Sequence, residues 1–318
     1  MKARRAVLAI VPALLVVAAL PVTLSRLTGW TGDLGIVLTA FAPLALLPYA
    51  VALVLLVAAV VRGRRRWPWL GATGLVVALL ALHVAWFAPL VVGGAPEPAA
   101  GAERVTVLSA NVEYGRGDAA VVVDAVRDRG VDVLVVSEVT PRFVAAADAA
   151  GLADVLPHRA GEAGDTTSGT MVFSSEPIEE VARVDTIFDS LVVRTHDLTL
   201  LATHPAPPQL PADWRHDQPL LLRAAREHAV DLVVGDLNAT LDHPTIRDLV
   251  DAGWRDAVEL TNGGWAPTWP AHGELGLPLA VVQIDHVLAR DTVAVTEVDR
   301  LEVPDADHLA VVVTLAGT

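Results

Sequence analysis

Three stretches of the chain, residues 6–25, 35–61 and 67–92, contain no Asp, Glu, Lys or Arg. Each is long enough to cross a bilayer as a helix, because about 20 apolar residues span roughly 30 Å of hydrocarbon. The first also has the form of a cleaved leader, since Met1-Lys2-Ala3-Arg4-Arg5 precede an apolar run. Two more such runs follow at once, so the expectation is a membrane anchor of three transmembrane helices over residues 1–92. Trp30, Trp67, Trp69 and Trp86 stand near the ends of these runs, where interfacial aromatics belong.

The basic residues set an orientation. Lys2, Arg4 and Arg5 precede the first run and Arg62, Arg64, Arg65 and Arg66 separate the second from the third, whereas the loop at 26–34 has only Arg26. Positive charge stays inside, which puts the amino terminus in the cytoplasm and, after three crossings, everything beyond residue 92 outside the cell membrane. Residues 93–103 are rich in Gly, Ala and Pro and read as a tether; ten such residues reach at most about 35 Å. The remaining domain, 104–318, is expected to work near the membrane surface on extracytoplasmic or lipid-borne substrates.

Charge narrows the partners. Of 23 basic and 37 acidic residues, 8 and 2 lie before residue 100, leaving 15 against 35, or about −20 on the outer domain. Proteins that bind nucleic acid generally need a basic surface to displace counterions, so a polynucleotide partner is disfavoured, though not excluded. The chain has no cysteine, which removes disulfides, thiolate metal sites and cysteine nucleophiles and leaves O and N atoms as the only metal ligands.

Within the outer domain, short β-branched runs alternate with stretches of helical period, the pattern of a layered α/β fold. The expected strands are 104–110, 131–137, 170–174, 191–195, 198–203, 231–234, 284–288 and 308–315; the expected helices are 118–129, 141–150, 215–229 and 244–251. Strand after strand meets a polar residue able to bind a metal or a phosphate: Asn111, Glu138, His204, then Asp236 and Asn238, with Asp307-His308 opening the last strand. Open sheets place active sites at such ends. Singly, each has a plainer reading: Asn111 as a turn former, Glu138 as a cap for the helix that Pro141 begins, Gly235–Asn238 as a loop, His204 as a loop histidine.

Taken in order, the segments Leu108–Val112, Val135–Val139, Gly169–Ser174, Ala202–His204, Gly235–Asn238, Thr268-Trp269, Gln283–Val287 and Asp305–His308 resemble the endonuclease/exonuclease/phosphatase (DNase I-like) superfamily over about residues 104–315. Ser137 stands where that family usually has Gln, and Ala306 where Ser often precedes Asp-His. The resemblance implies a four-layer α/β sandwich and a divalent-metal-dependent phosphoesterase using Mg²⁺ or Mn²⁺. It implies Glu138 as the principal metal ligand, with Asn111 and Asp307 contributing. It further implies that Asp236 orients or deprotonates the attacking water, that Asn238 donates to a phosphate oxygen, that Asp285 holds His308 as base or cationic stabiliser, and that His204 contacts the scissile phosphate. His286 should face the other side of the sheet and be structural. His158, His196, His216, His228, His243 and His272 have no motif around them. Trp214, Trp254, Trp265 and Trp269 belong either to loop packing or to a rim that touches substrate or lipid.

Three membrane helices ahead of such a domain also resemble the VanJ-type actinobacterial membrane proteins. That likeness implies a lipid-linked pyrophosphate, and the leading expectation is a membrane-anchored hydrolase of a small or lipid-linked phosphoester or pyrophosphate. The alternatives are an extracellular nuclease with the same residues in the same roles, and a non-catalytic binding module of the same fold.

Overall fold

The structure, a computed structural model, describes residues 2–62, 67–271 and 279–317; Arg64, Arg65, Arg66, His272 and the 272–278 part of the Trp-bearing loop lie outside the described residues. The chain divides into two compact units, Met1–Val91 with Asp242–Pro244, and Val92–Leu241 with Thr245–Thr318.

The first unit holds helices α1 (Lys2–Thr28), α2 (Asp33–Ala40), α3 (Leu46–Arg62) and α4 (Trp67–Phe87). Three segments, Ile10–Thr28, Ala42–Arg62 and Trp69–Leu90, are long and apolar enough to cross a membrane. The second apolar run, 35–61, is therefore not one helix: α2 stops at Ala40, a 3-10 turn occupies Ala42–Ala45, and α3 starts afresh. Pro43 lies in that turn and has no N–H to give an α-helical ladder. Polar side chains inside this unit satisfy one another. The Thr23 hydroxyl lies 2.6 Å from the Tyr49 hydroxyl and 3.0 Å from His83 Nε2, while His83 Nδ1–H donates to the Ala42 carbonyl at 3.0 Å. A buried polar group without a partner is costly, so such a cluster fixes how the helices pack.

The second unit runs β1 (Arg104–Asn111), α5 (Ala119–Asp128), β2 (Val133–Ser137), α6 (Pro141–Ala149), α7 (Leu152–Val155), β3 (His158–Glu162), β4 (Thr170–Ser174), β5 (Glu179–Val184), β6 (Ser190–Thr195), β7 (Leu198–Thr203), α8 (Pro211–Glu227), β8 (Leu232–Asp236), α9 (Pro244–Asp251), β9 (Trp254–Asp256), α10 (Ala257–Leu260), β10 (Asp285–Arg290), β11 (Val293–Glu302) and β12 (Leu309–Gly317). Local signals explain the helices. The Asp118 carboxylate caps α5 by accepting from Ala120 and Val121 N–H, and Thr140 caps α6 ahead of Pro141.

The strands form two six-stranded sheets, ordered β11-β12-β1-β2-β4-β3 and β5-β6-β7-β8-β10-β9. Val107, Val133, Val135 and Val172 of the first meet Leu200, Ala202, Leu232, Val234 and Val287 of the second in one core between the sheets. Leu108, Ala110, Leu134 and Val136 point the other way, onto Val122 and Val126 of α5 and Phe143 of α6. Trp214, Leu221 and Ala225 form the buried stripe of α8, which packs on β7 and β5. The result is a mixed α/β sandwich of two sheets between helical layers.

All eight expected strands and all four expected helices of this unit are present within a few residues, α8 starting earlier than expected because Pro211 occupies its first turn. Strands β3, β5, β9 and β11 and the short helices α7 and α10 went unread. The tether of 93–103 is not a free linker: Gly93 N–H donates to Asn262 Oδ1, Arg255 Nη1 donates to the Gly94 carbonyl at 3.1 Å, and Ala99 N–H donates to the Gly317 carbonyl at 2.8 Å.

Candidate active site

Alternation along the strands assembles the site. Side chains in a strand point to alternate faces, so the core-facing row 107–109 continues to Asn111, the row 200–202 to His204, the row 232–234 to Asp236, and the row 289–287 to Asp285. Four polar side chains thus crown the inter-sheet core at one end. Asp236 and Asp285 are register partners across the β8–β10 pair. Gly235, at φ 144°, lets β8 pass close to β7: a Cβ there would lie 2.0 Å from the Thr203 carbonyl oxygen. Glu138 (φ 57°) and Asn238 (φ 49°) hold left-handed conformations that turn the chain sharply just past β2 and β8.

Asn111 binds the carboxylates together, its Nδ2 donating to Glu138 Oε1 at 3.2 Å and to Asp236 Oδ2 at 3.0 Å, while its Oδ1 accepts from Glu113 N–H at 3.0 Å. Tyr114 N–H donates to the second Glu138 oxygen at 3.0 Å. His204 Nε2 lies 3.6 Å from Asp236 Oδ2 and 3.9 Å from Glu138 Oε1, with its ring beside Phe188 at a centroid distance of 5.3 Å. His308 Nδ1 bonds Asp285 Oδ2 at 2.8 Å, and its Nε2 lies 3.7 Å from Asp236 Oδ2 and 3.8 Å from Asp307 Oδ1. Asn238 N–H donates to Asp236 Oδ1 at 2.9 Å, and its side-chain Nδ2 donates to the Pro205 carbonyl at 3.0 Å, leaving one amide hydrogen uncommitted by that bond. All eight residues expected from the sequence lie in this one connected set.

Three participants carried no readable role in the sequence. Trp269 Nε1 donates to Asp307 Oδ2 at 3.0 Å, the Thr268 hydroxyl accepts from the Asp285 N–H at 3.2 Å, and Phe188 flanks His204. Thr268-Trp269 is a recognisable segment whose task only the geometry supplies; Phe188 has no sequence signal at all. Trp214 and Trp254 are buried in packing, as the plainer reading holds, and Trp265 is exposed. His286 faces away from the site: Nδ1 meets Asp256 Oδ2 at 2.7 Å and Nε2 meets the Ala239 carbonyl at 2.9 Å. Both ring nitrogens thus face acceptors, and although burial would lower the His286 pKa, Asp256 raises it.

Burial would also lower the His308 pKa, but Asp285 and Asp236 outweigh it and carry the group up to about 10. Burial would raise Asp236, yet His308 and His204 bring it down to about 2. For Asp285 burial wins, and its pKa is raised. His204 is raised as well, Asp236 and Glu138 overcoming its burial.

The charge balance favours a cation. Among the described residues, the carboxylates of Glu138, Asp236, Asp285 and Asp307 have only the imidazoles of His204 and His308 as ion-pair partners. Hard oxygen donors with surplus negative charge suit Mg²⁺ or Mn²⁺. Asp236, Asp285 and His308 have ligand atoms within 4.8 Å of one another. That trio is a poor seat, because His308 gives Nδ1–H to Asp285 and, charged, has no lone pair to offer. Glu138 supplies a further carboxylate, tied to Asp236 through the Asn111 amide.

No curated protein matches the chain. Among solved structures it is similar to an endonuclease/exonuclease/phosphatase from Beutenbergia cavernae DSM 12333, at 20% identity over 67% of this chain and 72% of that one, with a TM-score of 0.52. It is also similar to an AP endonuclease from Archaeoglobus fulgidus, at 16% identity over 66% and 98% with a TM-score of 0.53, and to truncated Caenorhabditis elegans TDP2, at 17% over 67% and 98% with a TM-score of 0.53. These likenesses establish the fold. Residues 108–308 match the model of one family, and the chain accordingly belongs to the Endonuclease/Exonuclease/phosphatase family, whose members are metal-dependent phosphoester hydrolases.

Proposed function

We propose that this protein is a membrane-anchored hydrolase that cleaves a small or lipid-linked phosphoester or pyrophosphate at the outer face of the membrane. The observation that carries the reading is the convergence of Glu138, Asp236 and Asp307 with His204 and His308 at one end of the sheets, in a chain with three helices able to cross a membrane. The outer domain's acidic balance supports a small or lipid-borne phosphate over a polynucleotide.

Each residue has a task under this reading. Glu138, Asn111 and Asp307 would hold Mg²⁺ or Mn²⁺, which when bound offsets charge on the nonbridging phosphate oxygens. Asp236, ionised and fixed by the Asn238 N–H, accepts a proton from the attacking water and aligns it. His308, charged and held by Asp285, stabilises developing negative charge, a role that its hydrogen bond to Asp285 and its raised pKa support. Asn238 directs its remaining amide hydrogen at a phosphate oxygen, and His204 supports the phosphate from the Glu138 side.

The test is phosphate release from a polyprenyl pyrophosphate by the full-length protein in detergent with Mg²⁺, run beside nicking of supercoiled plasmid, with Asp236→Ala and His308→Ala as controls. Release abolished by both substitutions, with intact plasmid, is the expected result. Nicking abolished by the same substitutions would replace this reading with the nuclease, the activity named for the Archaeoglobus fulgidus protein.

A further inference from the structure

The large apolar side chains that the second unit leaves exposed are not scattered. Among the described residues from Gly93 onward they are Tyr114, Ile187, Leu210, Trp265 and Leu279, with exposures from 39% at Leu210 to 53% at Leu279. Tyr114 lies between β1 and α5, Ile187 between β5 and β6, Leu210 between β7 and α8, and Trp265 and Leu279 between α10 and β10. All of these connections leave or enter the sheets at the end that carries Asn111, His204, Asp236 and Asp285. The turns at the other end, such as 196–197, 228–231 and 291–292, expose none. Scattered exposed apolar residues need no explanation, but five on the loops around one mouth do.

The path of the chain identifies what covers them. The third membrane-crossing segment ends at Leu90, and Gly93 is already hydrogen bonded to Asn262, on the same loop as Trp265. Three residues reach at most about 10 Å, so that loop lies close to where the chain leaves the hydrocarbon. Arg255 and Gly317 hold Gly94 and Ala99 in turn, so the tether has no slack over this stretch. Electrostatics do not supply the attraction, given the acidic balance of the domain; apolar burial does.

We infer that Ile187, Leu210, Trp265 and Leu279, with Tyr114, form a rim that rests in the interfacial layer of the bilayer, so that the catalytic mouth opens onto the membrane surface. Tyr and Trp suit that layer, having an apolar body and a polar tip. This deepens the proposed function, on which it rests, by making a phosphate group presented at the lipid surface the natural substrate.

The chain has no cysteine, so single cysteines take a label without background. Leu210→Cys, Trp265→Cys and Leu279→Cys, and for comparison Glu227→Cys and Asp291→Cys at the opposite end, would each carry an environment-sensitive fluorophore in the full-length protein in phosphatidylcholine nanodiscs. The expected result is quenching of the first three labels by lipid-borne nitroxide and of the last two only by a water-soluble quencher. Quenching of all five from water, or of all five from lipid, overturns the inference. The labels do not report on chemistry, and hydrolysis of a soluble phosphoester by each labelled protein separately shows whether the proposed activity stands.

Discussion

Asp236 and Asp285 face each other across the β8–β10 pair, and the His308 ring joins them, Nδ1 bonded to one at 2.8 Å and Nε2 at 3.7 Å from the other. The two carboxylates have different tasks because their surroundings differ: Asp236 also meets His204 and the Asn238 N–H, whereas the Asp285 carboxylate bonds His308 through Oδ2 and its Oδ1 is buried without a hydrogen-bond partner among the described residues.

Asp285→Asn removes the closest of the three carboxylates that hold His308 up to about 10. The His308 titration, read by NMR, should move down, and kcat should fall on the order of 10²–10³-fold at neutral pH. The loss should shrink as the pH is lowered and His308 regains its proton.

Glu138→Gln keeps the hydrogen-bonding shape of the side chain and deletes its charge. Mg²⁺ or Mn²⁺ should raise the thermal midpoint of the wild-type protein, and chelation should reverse the rise, since a ligand that binds only the folded state stabilises it. In Glu138→Gln the metal-induced shift should be lost, as followed by tryptophan fluorescence.

Glu259 tests pH dependence away from the site. Burial, then the neighbouring Asp256, lifts its pKa from 4.5 to about 6. An acid raised on folding is most stabilising while protonated, so its contribution is complete below 4.5 and is lost as pH climbs through about 6. The difference, 6 − 4.5 = 1.5, corresponds to about 2 kcal/mol. Glu259→Gln should therefore raise the thermal midpoint at pH 7.5 and have little effect at pH 4.

Gly235→Ala places a methyl group against the Thr203 carbonyl at a φ of 144°, which side chains rarely adopt. Stability should drop by roughly 1–3 kcal/mol or more. Because β7 and β8 carry His204 and Asp236, turnover should fall even at temperatures where the protein remains folded, a difference that circular dichroism and a phosphate assay on one sample would show.

How much of this was legible in the sequence follows a physical line. Central strands such as β2, with Val133–Ser137 fully buried, are unbroken apolar runs, and the residues that cap them are conspicuous because they interrupt the run. The four unread strands, β3, β5, β9 and β11, are the four sheet edges. Sequences such as EEVARV and HRAGE mix charge into the strand, as edges do to avoid pairing with other chains, and so lose the signal. The site was legible for Asn111, Glu138, His204, Asp236 and His308, which stand beside strands. It was not for Phe188, whose place depends on where the β5–β6 turn folds, nor for the hold of Trp269 on Asp307, which depends on a loop meeting a distant segment. The seating of residues 93–99 was hidden for a similar reason: its bonds are to the backbone or to residues far along the chain.

The neighbouring residues Asp285 and His286 each belong to a carboxylate–imidazole pair, and the two pairs lie on opposite faces of one strand. Shifting β10 by a single residue one way would present the His286 imidazole to the His308 imidazole, and shifting it the other way would present the Asp285 carboxylate to the Ala239 carbonyl; either slip loses both attractions. The dipeptide thus acts as a key cut on both edges: only one alignment of the strand satisfies both sides, and that alignment is the one that sets Asp285 against Asp236. A strand next to a reaction centre is kept from sliding by charge on its far side, without any added bulk in the mouth where substrate must enter.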